Sequence, residues 1–321
     1  MNKDLVSIII PTYNRINIIQ ETISSAINQT YKRKEIIVLD NNSSDNTYEI
    51  LKKKYSKIKF FKLYKNNETI DIVLNWKKCV EFAKGKYIHI LWSDDLIEPT
   101  FIEESVSMLN SNSHIGFVYS KTIIFNNNKN NRTVFDLGRT GIYDSSFFIK
   151  KSLLDDPLSA PVSPANAVFR KKDIKKNLLI EIPNNYNIDF SKIGQGNDVL
   201  IFLLTLLEYD YFGYINKPLA KFRAHNESIT LSTNSFMVNI RYHIAKAFFL
   251  TKYKFDNNLV IKFNSKAMLL FILNKIFNRK SNYSYENMHN KNITKKYSLI
   301  HLFSSLIRYL IYFFKRKINF K

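Results

Sequence analysis

The stretch from Leu5 to Asp45 constrains this chain most. Val6 to Ile10 is a short, apolar, largely β-branched run closed by Pro11, the pattern of a strand buried on both faces. Ile16, Ile19, Ile23, Ala26 and Ile27 then recur at helical spacing, and Glu35 to Leu39 is a second buried strand that stops at Asp40. Strand, polar turn, helix, strand, polar loop is the unit of an open parallel sheet. Ligands of such sheets bind beyond the carboxyl ends of the strands. Pro11 to Asn14 and Asp40 to Ser43 both stand at such ends, which predicts one binding crevice.

The alternation continues. Thr47–Tyr55 reads as a helix, Ile58–Leu63 as a strand, Asp71–Ala83 as a helix ended by Gly85, and Tyr87–Trp92 as a third buried strand. A helix over Phe101–Leu109 and a strand over Ile115–Ser120 follow. The fold class is therefore α/β, a mostly parallel sheet covered by helices on both faces. Phe125–Arg139 reads as a loop or irregular hairpin, Gly141–Leu154 as helical, and Asn197–Tyr209 as a helix after Gly194-Gln195-Gly196.

Charge divides the chain. From Ile240 onward 17 Lys or Arg face only Asp256 and Glu286, a net of +15 out of the total +21. The basicity belongs to the tail, which suits an anionic surface, and says little about the part before it. Two domains are expected: 1–232, and a basic helical region over 233–321. The single Cys79 excludes a disulfide framework and a thiolate metal site. Met1 to Asp4 is polar and leads directly into a strand, so no secretory leader and a cytoplasmic setting are expected. Leu299, Leu302, Phe303, Leu306, Ile307, Leu310, Ile311 and Phe314 share one helical face, with Lys315-Arg316-Lys317 next. That pattern fits a helix lying in a membrane interface, or one packed on the catalytic domain.

Three features could carry chemistry. Asp94-Asp95, directly after a buried strand, suits Mg²⁺ or Mn²⁺, which take one or two carboxylates and complete their shell with phosphate oxygens; a solvated acidic turn has the same pattern. Asp198, at the start of an apolar helix, is a general base or a carboxylate favoured by the helix dipole. His225 is a further metal ligand or an ordinary exposed histidine. Asp40 and Asn41 could hydrogen-bond a nucleoside or form an Asx turn.

Taken together, VSIIIPTYNR, SAINQTY, EIIVLDNNSSDNT, WSDDLIEP, the NDVLI segment and KFRAHNESIT resemble the family 2 glycosyltransferases of GT-A (Rossmann-like) fold, over roughly Leu5 to Thr230. The resemblance implies that Pro11, Thr12 and Tyr13 cradle the nucleotide base, with Asp40 and Asn41 at the nucleoside. It places Ser93 and Asp94 towards the ribose, Asp95 and His225 at the metal, and Asp198 as catalytic base. Asn41 stands where many members have a second Asp, and Asn197 where a Glu is frequent. The implied activity is inverting, Mn²⁺- or Mg²⁺-assisted transfer from a nucleotide-diphosphate sugar to a saccharide or lipid-linked saccharide, in O-antigen or capsule synthesis on the cytoplasmic face of the inner membrane. Two alternatives differ in class. A nucleotidyltransferase would need a Gly-rich phosphate loop, which PTYNR lacks; a non-enzymatic binder of membrane or nucleic acid would act through the tail, where no nucleic-acid motif is present.

Overall fold

The computed structural model describes residues 4–126, 131–154, 160–225, 235–252, 255–277, 284–288 and 296–307. The chain divides into two compact units, Met1–Glu181 with Asp189–Ser232, and Ile182–Ile188 with Thr233–Lys321.

In the first unit the opening stretch forms β1 (Val6–Thr12), α1 (Ile19–Ile27) and β2 (Lys34–Asp40). Every residue of both strands is buried, which is why they read as unbroken apolar runs rather than alternating ones. There follow α2 (Thr47–Tyr55), β3 (Phe61–Lys65), α3 (Ile72–Phe82), β4 (Tyr87–Ile90), the two-residue β5 (Leu96–Ile97), α4 (Phe101–Ser111) and β6 (Ile115–Phe125). Then come β7 (Arg132–Val134), β8 (Gly141–Asp144), α5 (Ser145–Leu154), β9 (Ala167–Arg170), α6 (Lys171–Asn177), α7 (Asn197–Thr205) and β10 (Tyr211–Arg223).

Among the described residues, ten strands make one sheet in the order β3-β2-β1-β4-β9-β6-β10-β5, with β7 on β6 and β8 on β10. The architecture is mixed α/β. Pairing is parallel through β3-β2-β1-β4 and again between β6 and β10, but β9 enters antiparallel to both β4 and β6. It follows α5 in the chain, and a 3₁₀ turn, Pro164–Asn166, leads directly into it. One expectation changes: Gly141–Asp144 is strand rather than helix, because its backbone completes the antiparallel edge of β10, Gly213 lying opposite Ile142. Phe125–Arg139 contains β7, paired antiparallel with β6 as the hairpin alternative expected.

Register sets the crevice. Thr12 lies directly opposite Asp40, and Ile9 opposite Ile90, so β1, β2 and β4 present their carboxyl ends together. Beneath them Ile8, Ile10, Ile23, Ile36, Val38 and Leu91 belong to one buried cluster. On the other half of the sheet, Phe117 packs against Phe148, Phe169 and Phe202 at centroid distances of 5.2, 5.3 and 5.0 Å. Each such side chain contributes about 2–3 kcal/mol by burial. Through Phe202 this cluster fixes α7, every residue of which is buried.

In the second unit, α8 (Ser235–Leu250) and α9 (Asn257–Phe277) are joined by His243 stacked on Phe263 and Phe236 edge-on to Phe271. Residues 299–307 are helical. Leu299, Ile300, Phe303 and Ile307 are 76, 79, 63 and 44% exposed, while His301, Ser304 and Ser305 are half-buried. Leu302 and Leu306, expected on the same face, are also half-buried; Leu310, Ile311 and Phe314, and the basic run from Lys315, lie outside the described residues. Among the described residues, no helix is long and apolar enough to cross a membrane.

Candidate active site

The first two loops are stapled to each other. The Asn41 amide donates to the Thr12 carbonyl at 2.8 Å, which carries the parallel pairing one residue past the strand ends. Asn14, at φ +50°, has its amide on Ser43 Oγ (2.8 Å) and its side-chain oxygen on the Ser44 amide (2.9 Å). The Ile16 amide donates to Asp45 Oδ2 at 3.1 Å. Asn14 and Asp45 therefore hold the PTYN loop against the Asp40–Ser43 loop, and Tyr13 is left 47% exposed at the crevice. The Thr12 hydroxyl is buried and makes no hydrogen bond to a described residue; Pro11, beside it, is buried.

Asp40 is completely buried, and its two oxygens accept from the Ser43 hydroxyl and, at 3.0 Å, the Ser43 amide. Burial pushes its carboxyl above the usual range, with those hydrogen bonds opposing. Asn41 is committed to the loop that follows β3. Its oxygen accepts from Asn66 Nδ2 (2.9 Å) and the Ile70 amide (3.0 Å), and its Nδ2 donates to the Ile70 carbonyl (2.8 Å). Three of its four hydrogen-bonding positions are thus filled. Asn66 in turn donates to Asn75 and accepts from Lys78. Nothing in the sequence pattern pointed to Asn66.

The third strand end carries Ser93, Asp94 and Asp95. Thr22 of α1 donates to the Ser93 carbonyl at 3.1 Å, and the Asp95 amide closes a turn on the Trp92 carbonyl at 3.1 Å. β10 runs antiparallel to β5, Lys221 opposite Leu96, and so delivers its own end to the same turn. The Arg223 amide donates to Asp95 Oδ1 at 3.0 Å, and His225 Nε2 lies 2.9 Å from Asp94 Oδ2. His225 thus meets Asp94, not Asp95, the carboxylate with which the sequence grouped it. Burial, reinforced by the Asp94 charge, raises the Asp95 carboxyl well above the usual range. Adjacent hard oxygen donors, one of them a buried carboxylate short of positive charge, fit Mg²⁺ or Mn²⁺, for which two protein carboxylates suffice when phosphate oxygens complete the shell. Among the described residues no cluster of three His, Cys, Asp or Glu is arranged to hold a metal alone.

Asp198 opens α7. Gly194 (φ +75°) and Gly196 (φ +108°) make the reversal before it, and Asp198 Oδ1 accepts from the Gly196 and Val199 amides, both at 2.8 Å. Asp198 is 8% exposed. An indole pair links its loop to the Asp94–Asp95 turn. Trp92 packs against Trp76 at 4.5 Å with the rings tilted by 37°, and Trp76 lies so close under Gly194 that a Cβ there would stand 2.3 Å from the ring. Trp92 also donates to Ser163 Oγ at 2.7 Å. Trp76 is spaced like an ordinary core residue of its helix, and Trp92 entered the sequence pattern only as the residue that opens WSDDLIEP, with no role of its own.

Residues 7–178 match the family model described as glycosyl transferase family 2. The chain is 28% identical over 297 residues, 89% of its length, to an uncharacterized glycosyltransferase of Rickettsia conorii. It is 37% identical over 129 residues, 40% of its length, to the Escherichia coli UDP-Glc:alpha-D-GlcNAc-diphosphoundecaprenol beta-1,3-glucosyltransferase WfgD. It spans 44% and 49% of those two proteins, under half of each. The crystal structure of S. aureus TarS 1-349 in complex with UDP-GlcNAc superposes with a TM-score of 0.61 at 17% identity, over 94% of this chain and 79% of that one, a likeness of fold. The matched segment spans more than half of the chain, and with the fold it identifies this protein as a member of glycosyl transferase family 2.

Proposed function

We propose that the chain is an inverting glycosyltransferase that moves a sugar from a nucleotide-diphosphate donor to a hydroxyl of a saccharide or lipid-linked saccharide. The observation that carries this is the meeting of Asp94, Asp95 and His225 at one strand end, coupled through Trp92 and Trp76 to the loop that presents Asp198. Thr12, whose buried hydroxyl has no partner among the described residues, and the exposed Tyr13 ring support a nucleoside site here, with Asp40 holding the loop beside them. Pro11 and Asn41 shape that wall, and Ser93 and Asp94 lie towards the ribose.

Asp95, with Asp94 or His225, would hold Mn²⁺ or Mg²⁺, and the cation supplies Lewis-acid stabilisation of the charge on the departing diphosphate. Asp198 accepts the proton of the acceptor hydroxyl. The acceptor oxygen bonds to the anomeric carbon as the bond to the diphosphate breaks, and the diphosphate leaves with the electron pair. One displacement inverts the configuration, so no second carboxylate nucleophile is required.

The likeness to WfgD, whose name specifies an alpha-D-GlcNAc-diphosphoundecaprenol acceptor, supports a lipid-linked saccharide here. The UDP-GlcNAc in TarS supports a uridine nucleotide-sugar among the candidate donors. An acceptor of that kind lies at a membrane. The exposed Leu299, Ile300, Phe303 and Ile307, in a tail of net charge +15, support peripheral attachment to an anionic cytoplasmic face, in a surface-polysaccharide pathway. The test is Asp198→Asn: transfer falls by at least about 10³-fold while calorimetric donor affinity stays within twofold. Turnover near the wild-type rate removes Asp198 from the mechanism.

A further inference from the structure

Arg223 makes more contacts with the Asp94–Asp95 turn than any sequence signal suggested. Its amide holds the Asp95 carboxylate (Oδ1, 3.0 Å), and its Nε donates to the Asp94 carbonyl at 3.1 Å. One residue thus fastens both halves of the turn, one by a side chain and the other by its backbone. The guanidinium is itself fixed from two further elements. A terminal nitrogen donates to Glu21 Oε2 of α1 at 2.6 Å, and the group lies 4.7 Å over the Phe125 ring at the end of β6. The Arg223 side chain is only 11% exposed, whereas Glu21 is 60% exposed.

This arrangement answers a physical problem. Two neighbouring carboxylates, one buried, repel each other and would splay a two-residue turn in the absence of a cation. A guanidinium presents donors in several fixed directions from one plane, so it can serve Asp94 and Glu21 together and still stack on Phe125. A lysine ammonium is a single point that cannot make these contacts together.

We propose that Arg223 is a positioning residue which holds the Asp94–Asp95 turn ready for a divalent cation, with Glu21 as its anchor on α1. The inference rests on the function proposed above and adds a device to it. Arg223 acts through the turn and not on the sugar.

The experiment is a titration of the full chain with Mn²⁺ alone, free Mn²⁺ being read by electron paramagnetic resonance, repeated with saturating UDP and accompanied by thermal melting. Arg223→Lys keeps the backbone amide on Asp95 and removes the guanidinium's hold on the Asp94 carbonyl, Glu21 and Phe125; it should weaken Mn²⁺ binding by about 10-fold, the low end of what loss of outer-shell support costs a metal site. Glu21→Gln should weaken it about threefold by the same route. The double variant should match Arg223→Lys within a factor of two, since Glu21 works through the guanidinium. A folded Arg223→Lys protein with wild-type Mn²⁺ affinity overturns the proposal, even if its melting temperature falls, and so do additive effects. If Arg223→Lys does not fold, Glu21→Gln decides alone, and unchanged Mn²⁺ affinity there overturns the anchor and the proposal with it. Failure of the wild-type chain to bind either Mn²⁺ or any nucleoside diphosphate overturns the functional reading as well, which separates the two failures.

Discussion

Replacing Gly194 by alanine tests how the loop before Asp198 is built. Gly194 has φ +75°, a region that costs an L-residue about 1–2 kcal/mol. Its new methyl would stand 2.3 Å from Trp76 Cη2 and 2.8 Å from Cζ2. The ring cannot withdraw freely, because Trp92 backs it at 4.5 Å and Trp92 is itself tied to Ser163. Overpacking of a fixed core site adds about 1–3 kcal/mol. Together the loss is about 2–5 kcal/mol, a large share of a typical domain's stability. The assay is urea unfolding followed by tryptophan emission, which is site-specific because the chain has only these two tryptophans. With a slope of about 3 kcal/mol/M the midpoint should fall by about 1 M. Adding Trp76→Phe should return part of that loss by opening space. A loss below about 1 kcal/mol, or no rescue by the smaller ring, would refute the claim that Trp76 buttresses this loop.

Two further outcomes are expected. His89 is buried, with Nδ1 2.8 Å from the Ala167 carbonyl and no described partner for Nε2, and burial lowers its pKa from 6.5 to about 4. A depressed histidine stabilises the fold above its unfolded pKa and loses that contribution as pH falls through the window from 6.5 to 4, about 3 kcal/mol in all. Urea unfolding between pH 7 and pH 4 should show this loss in the wild type and not in His89→Gln, and parallel profiles would show that His89 is not its source. In the tail, the full chain should sediment with vesicles containing phosphatidylglycerol and not with pure phosphatidylcholine, and Phe303→Glu with Ile300→Glu should lower that binding about 10-fold or more. Equal binding by the double variant would assign the exposed face another role.

The sequence made the first half of the fold legible because β1, β2 and β4 are buried on both faces and α1 on one, so burial and hydrophobic period coincide. It read β8 as part of a helix and did not show β9, because four residues each are too few to show a period and their pairing depends on distant β10, β4 and β6. The site divides in the same way. Asp40, Asp94, Asp95 and Asp198 stood out as carboxylates at element ends. Arg223, Asn66 and Ser163 did not, because each acts by touching a residue between 25 and 129 positions away. Asn41 shows the limit of a pattern-based assignment, since tertiary partners absorb most of its hydrogen bonds.

The most direct test of the central claim is calorimetry of the full chain with UDP, GDP, dTDP and CMP, each with and without Mn²⁺. The account predicts that one nucleoside diphosphate binds, that Mn²⁺ strengthens its binding at least about 10-fold, and that Asp95→Ala abolishes the strengthening. A folded protein that binds none of the four, or binds one equally with and without the metal, would contradict it.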